Sequence, residues 1–216
     1  MSSAIMSDSP EIEALLERAA AGEEEATRKL AEEFQERLHK MIRLRMDARL
    51  KGRVDSDDIL QEIWIEATRR LPDYVAEPPM SFYLWLRSLA AQKLTDAMRH
   101  HLGVQKRDAG RDVSLHRGGL PEATSVSLAA QLLGRLTSPS NAAIRAETQL
   151  KVQEVLNEMD PVDREVLVLR HFEHLSNAET AELLDIRKSA ASKRYIQALR
   201  RLKAVLTNTP GFEDRF

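Results

Sequence analysis

The chain reads as an all-α protein: two helical domains joined by a long linker. Three observations predict this. Apolar residues recur at three- and four-residue spacing along most of the chain, the period of a helix with one buried face. No stretch alternates apolar and polar residues as a half-buried strand would. Residues 102–141 interrupt the pattern with Gly103, Gly110, Gly118, Gly119, Gly134, Pro121 and Pro139, a composition that suits a connector. The expected domains are residues 11–101 and 142–207.

Residues 11–20 form a short first helix, ended by Gly22, because glycine readily takes the left-handed conformation that closes a helix. Residues 23–51 form a long second one. Ala26, Leu30, Phe34, Leu38, Met41 and Ile42 share its apolar face, and Gly52 stops it. Asp55 or Ser56 caps a third helix. Asp57 and Asp58 lie in its first turn, where the helix dipole favours negative charge. Its core face is Ile59, Leu60, Ile63, Trp64, Ala67 and Leu71. Pro72, Pro78 and Pro79 make residues 72–79 a loop. A fourth helix covers 81–101, with Phe82, Trp85, Leu86, Leu89 and Ala97 on its buried side. A short helix is expected inside the linker at 127–136. The second domain opens near Ser140 with helices over 142–158 and 161–171. Asp160 caps the latter and Pro161 fits its first turn. Residues 208–216 read as a frayed tail.

Residues 176–206 read as two helices with a tight joint. Ser176 or Asn177 caps the first, and Ala178, Ala181 and Leu184 follow at helical spacing. Asp185, Ile186 and Arg187 make the turn. Ser189 caps the second helix, whose inner stripe is Ala191, Tyr195, Ala198, Leu199, Leu202 and Leu206. No acidic residue falls between Arg187 and Leu206. A basic, acid-free second helix with small residues at its front is the pattern of a helix-turn-helix that enters a DNA major groove. An alanine-rich hairpin with a basic solvated face is the plainer alternative.

The 216 residues are 43% hydrophobic and 31% charged, a globular composition. There is no cysteine, which excludes disulfides and thiolate metal sites. No apolar run is long enough to span a bilayer, and residues 1–13 lack the basic and apolar regions of a signal peptide, so a cytoplasmic protein without membrane insertion is expected. The net charge of −2 conceals an acidic front, residues 11–36, and a basic rear, residues 187–203. A chain with that split contacts DNA over a limited surface and offers acid to something else. No glycine-rich phosphate loop, nucleophile elbow or plausible triad order is present, so no catalytic residue, enzyme activity or cofactor is expected. His171 and His174 have a spacing that metal sites use, but no third ligand is evident. Their expected role is to end a helix, with no metal bound.

Three stretches, in order, change the reading. The first is Asp55-Ser56-Asp57-Asp58-Ile59-Leu60-Gln61-Glu62. The second runs from Phe82 through Trp85, Leu86, Arg87, Leu89, Ala90, Gln92 and Asp96 to Arg99. The third is Met159-Asp160-Pro161-Val162-Asp163-Arg164-Glu165-Val166-Leu167, leading into the helix-turn-helix. Together they resemble the sigma-70 family of bacterial transcription initiation factors, and within it the small extracytoplasmic-function (ECF) subfamily. The resemblance implies core RNA polymerase as a partner, through the β′ clamp coiled coil and the β flap. It also implies promoter DNA, and raises an anti-sigma factor as a further partner.

By that resemblance, Asp57, Asp58, Leu60, Gln61 and Glu62 bind polymerase. An ordinary acidic cap explains the two aspartates but not Gln61 and Glu62. The fourth helix and the loop before it would melt and read the −10 element through Tyr74, Tyr83, Arg87, Gln92, Lys93, Arg99 and His100. Aromatic faces beside basic groups suit unstacked bases. Phe82 and Trp85 fit the core better. Contacts to the −35 element fall on Lys188, Ser189, Ser192, Lys193 and Gln197, with Arg187, Arg194, Arg200 and Arg201 neutralising phosphates. The family frequently has arginine where Ser192 and Gln197 stand, which shifts the preferred bases, since Arg favours guanine and Gln adenine. The other function class is a stand-alone dimeric helix-turn-helix regulator.

Overall fold

The structure, a computed structural model, describes residues 8–46, 50, 52–102, 123–136 and 142–207. Among them are nine α-helices, one π turn and no strand. The chain divides into two compact units, with the main break between Pro121 and Glu122.

The first unit contains α1 (Pro10–Ala20), α2 (Glu24–Arg45), α3 (Ser56–Ala76) and α4 (Phe82–Leu102). Ser9 caps α1, and Gly22 at φ +90° turns the chain into α2. All six residues of the expected α2 face are buried. The helix was expected to reach residue 51 but ends at Arg45, where Met46 turns extended. Beyond Ile42 the apolar residues Leu44, Met46, Ala48 and Leu50 alternate rather than follow helical spacing, so there is no continuous face to bury. Asp55 caps α3 by accepting from the Asp57 N–H at 3.1 Å. α2 packs on α1, α3 and α4, and α3 packs on α1 and α4.

The expected loop at 72–79 is corrected in its first half, because α3 continues through Pro72 to Ala76. Proline removes one backbone donor, that to the Thr68 carbonyl. Both Pro72 and Thr68 are exposed, so the affected turn faces outward. The inner side of the same turn buries Leu71 and Tyr74. Tyr74 packs on Phe82 and Trp85, at centroid separations of 5.4 and 4.7 Å, and donates to the Met80 carbonyl at 2.9 Å. Asp8, ahead of α1, accepts from the Phe82 N–H at 2.8 Å. It thus places a carboxylate at the start of α4, where the helix dipole favours it.

The second unit contains α5 (Ser125–Leu136), α6 (Ala142–Glu158), α7 (Pro161–Leu167), a π turn (Val168–Phe172), α8 (Asn177–Leu183) and α9 (Lys188–Thr207). α5 was expected as a short helix inside the linker, at 127–136. It instead packs on α6 and buries Leu128, Ala129, Leu132 and Leu133. Arg164 of α7 donates to the Ala123 carbonyl just ahead of it. The expected linker residues 103–122 and 137–141, and the expected tail 208–216, lie outside the described residues. Asp160 caps α7, accepting from Val162 and Asp163 at 2.9 and 3.3 Å. The helix expected to reach His171 widens into the π turn, which His174 ends at φ +58°.

The Tyr74 hydroxyl is pushed well above its ordinary value of 10.0, by burial first and then by the Asp8 carboxylate. A phenol with a raised folded pKa contributes stability that is complete below its unfolded pKa and is lost as pH rises toward the folded one. Urea unfolding at about pH 8 and about pH 11 should show a larger alkaline loss for the natural chain than for Tyr74→Phe. Equal losses would contradict the assignment.

Candidate nucleic-acid and partner interfaces

Ser176 starts the helix-turn-helix with a reciprocal cap. Its hydroxyl accepts from the Glu179 N–H at 3.1 Å, and its own N–H donates to the Glu179 carboxylate at 2.6 Å, which satisfies two otherwise orphan donors. α8 closes with Asp185 at φ +50° and an Ile186 N–H bond to the Ala181 carbonyl at 2.9 Å. This is the six-to-one closure usually built on glycine, and aspartate tolerates it better than most residues. α9 begins at Lys188, so Ser189 lies inside the first turn rather than capping it.

Two anchors set the rotation of α9. At its start, Asn177 donates through Nδ2 to the Lys188 carbonyl at 2.9 Å and accepts from the Ser192 hydroxyl at 3.1 Å. One turn on, Arg194 Nη1 lies 2.6 Å from Asp163 and 3.2 Å from Asp160. Asp163 is buried. Its hydrogen bond and charge raise the arginine pKa further. Arg194, expected to neutralise a phosphate, here bridges α9 and the start of α7. Its position, three residues after Ala191 and four before Ala198, puts it on the inner side of the helix. Tyr195 is half-buried, with the Arg170 guanidinium 5.2 Å from its ring centre.

Around these anchors, Arg187, Lys188, Ser189, Ser192, Lys193, Gln197, Arg200 and Arg201 are exposed. Among the described residues, no acidic partner holds Arg187, Lys193, Arg200 or Arg201. Ile196, 47% exposed, lies on the same face, four residues after Ser192. The sequence reading overlooked it, although that spacing places it there.

On α3, Asp57, Asp58, Gln61 and Glu62 are exposed and Leu60 is half-buried. His39 Nε2 of α2 lies 3.0 Å from Asp57 and 2.9 Å from the Ser56 hydroxyl. Ile65, 63% exposed, sits one turn beyond Gln61 and Glu62. It is a second apolar side chain that the sequence reading missed on an outward face.

The α4 candidates divide. Gln92, Arg99 and His100 are exposed. Arg99 faces Asp96 loosely, at 3.5 Å. Lys93 is half-buried and lies 3.2 Å from Glu62, so a group expected to bind DNA is paired with one expected to bind polymerase. Three expected contacts are corrected. Tyr74, Tyr83 and Arg87 are all buried and offer no face to a base or phosphate. Tyr83 lies between Phe34, at a centroid distance of 6.3 Å, and the Arg37 guanidinium, 3.6 Å from its ring centre. The first turns of α4 are buried on nearly every side, from Phe82 through Leu84, Leu86, Leu89 and Ala90 to Leu94. Aromatic and basic residues there supply packing.

Comparison with known proteins gives two family matches along the chain. A family model described as Sigma-70 region 2 matches residues 30–102, and one described as Sigma-70, region 4 matches residues 149–202. The chain is 28% identical to the ECF RNA polymerase sigma factor SigD of Mycobacterium tuberculosis, over 89% of this chain and 82% of that one. It is 24% identical to the ECF RNA polymerase sigma factor BldN of Streptomyces coelicolor, over 93% of this chain and 67% of that one. In fold it is similar to CnrH, solved in complex with the cytosolic domain of CnrY. The TM-score is 0.51 at 21% identity, covering 90% of this chain and 96% of that one.

Removing Arg194 leaves a buried carboxylate without its cation. Arg194→Ala should lower the stability of the second unit by about 1–3 kcal/mol, read by denaturant unfolding. A double-mutant cycle with Asp163→Ala should show coupling between the two sites. Additive effects would mean the pair does not tie α9 to α7.

Proposed function

The chain belongs to the sigma-70 family, in its ECF group, and from that premise we propose how its surfaces divide the work of a transcription initiation factor. The outward face of α3, with Asp57, Asp58, Leu60, Gln61 and Glu62, docks on the β′ clamp coiled coil of core RNA polymerase, and Ile65 adds an apolar contact beside the charge. The second unit sits on the β flap and presents α9 to the −35 element. Lys188, Ser189, Ser192, Lys193 and Gln197 meet base edges. Arg187, Arg200 and Arg201 neutralise phosphates. Ile196 is placed to pack on a thymine methyl, the apolar feature of the major groove.

The −10 element falls to the exposed part of α4, through Gln92, Arg99 and His100. Lys93 joins them only by exchanging Glu62 for a phosphate. Tyr74, Tyr83 and Arg87 hold α4 in place instead of touching bases. A protein partner that covers these faces, of the anti-sigma kind, would hold the chain inactive. The action is cytoplasmic, where polymerase and promoter are.

One observation carries the reading. α9 turns an acid-free basic and polar face outward, while Arg194 is drawn toward α7 by Asp163 and Asp160. A helix that needed only to cover a core would have no reason to leave so many like charges together. The stand-alone dimeric regulator has no comparable support.

Asp58→Lys should weaken binding to core polymerase about tenfold or more, by placing like charge against the coiled coil, with unchanged helicity. Equal affinity in a titration of labelled chain with core would contradict the docking assignment. Lys193→Ala should lose roughly 1–3 kcal/mol at one base pair of the −35 element. A loss uniform across sequences would make Lys193 a phosphate contact.

A further inference from the structure

We propose that Ser192 acts in the −35 element as a hydrogen-bond acceptor only, and so selects a base with an exocyclic amino group, adenine or cytosine. The inference rests on the placement of α9 proposed above and adds the chemical sense of one contact. A serine hydroxyl has one proton and two lone pairs, and an unrestrained one turns to suit its partner. Ser192 is restrained. Its hydroxyl lies 3.1 Å from Asn177 Oδ1, while Asn177 Nδ2 lies 2.9 Å from the Lys188 carbonyl.

The second contact determines the first. A backbone carbonyl can only accept, so the amide must turn its NH2 group toward Lys188. Its oxygen is then the atom facing Ser192, and an amide oxygen can only accept. The Ser192 proton is therefore committed to Asn177, and only lone pairs remain for the groove.

In the major groove, adenine N6 and cytosine N4 donate, whereas guanine O6 and N7 and thymine O4 accept. An acceptor-only side chain matches the first pair and leaves the second without a proton. Ser189, three residues earlier on the same exposed surface, has no such clamp among the described residues. It can present its hydroxyl in either sense, which makes it the internal control. Asn177 is thus a positioning residue: it acts on the base through Ser192.

The experiment uses the full chain with core polymerase and duplexes randomised across the −35 element. The position read by Ser192 is the one whose preference disappears in Ser192→Ala. The natural chain should choose adenine or cytosine there, on one strand. Replacing that base by purine or pyrimidin-2-one, which lack the exocyclic amine, should weaken the natural chain about 3–10-fold and leave Ser192→Ala unchanged. Asn177→Ala frees the proton and should admit guanine and thymine at that position alone. The base-analogue arm leaves Asn177 intact, so it decides the matter even if that variant folds poorly. A Ser192-dependent choice of guanine or thymine, or an analogue without effect on the natural chain, would overturn the acceptor assignment while leaving the placement of α9 standing. A chain that selects no −35 sequence with polymerase would overturn both.

Discussion

Everything the second unit can present depends on where α9 is held, and the firmest hold is the ion pair between Arg194 and the buried Asp163. A carboxylate taken out of water is costly unless it is paired and hydrogen-bonded. Asp163 is both the buried partner and a first-turn residue of α7, whose cap Asp160 touches the same guanidinium. The pair therefore couples the start of one helix to the rotation of another. Rotation matters because one residue along a helix turns its face by about 100°. Displacing the pair would rotate Ser192, Lys193 and Gln197 off the outward line. Asn177 supplies the second point of fixation, at the first turn of α9.

The first unit solves a different problem. Its outward helix faces carry charge, so its internal order must come from packing. Phe34, Tyr74, Phe82, Tyr83 and Trp85 form one aromatic cluster where α2, α3 and α4 meet. Rings of this size contribute large buried area with few torsions to restrain. The cluster holds α4 so that Gln92, Arg99 and His100 lie on its exposed later turns. The Glu62–Lys93 pair ties the acidic helix to the one beside it. An exposed pair of this kind contributes little stability, and its interest is that each member has a second proposed partner of opposite charge.

The helical class, the α6 bounds, the Asp160 cap and the acidic start of α3 were legible because each rests on local rules of spacing and capping. Burial was less legible. Tyr74, Tyr83 and Arg87 looked like contacts because aromatic and basic residues together suit nucleic acid, yet all three are buried, Tyr74 against Phe82 and Trp85 of α4 and Tyr83 against Phe34 and Arg37 of α2. Pro72 looked like a helix end, but the packing of Leu71 and Tyr74 outweighs one missing backbone bond. α5 looked like part of a connector because glycines and prolines flank it, while its docking on α6 is a tertiary contact. Arg194, Ile196 and Ile65 are different: helical spacing alone places the first inward and the other two outward.

The central claim is that the acidic face of the first unit and the basic face of α9 act together, through polymerase, to choose where transcription begins. The most direct measurement maps the 5′ ends of RNA made from genomic DNA fragments by core polymerase with and without this chain. The account predicts a restricted set of new starts, each preceded by two separated upstream elements. Identical starts in both reactions would contradict it.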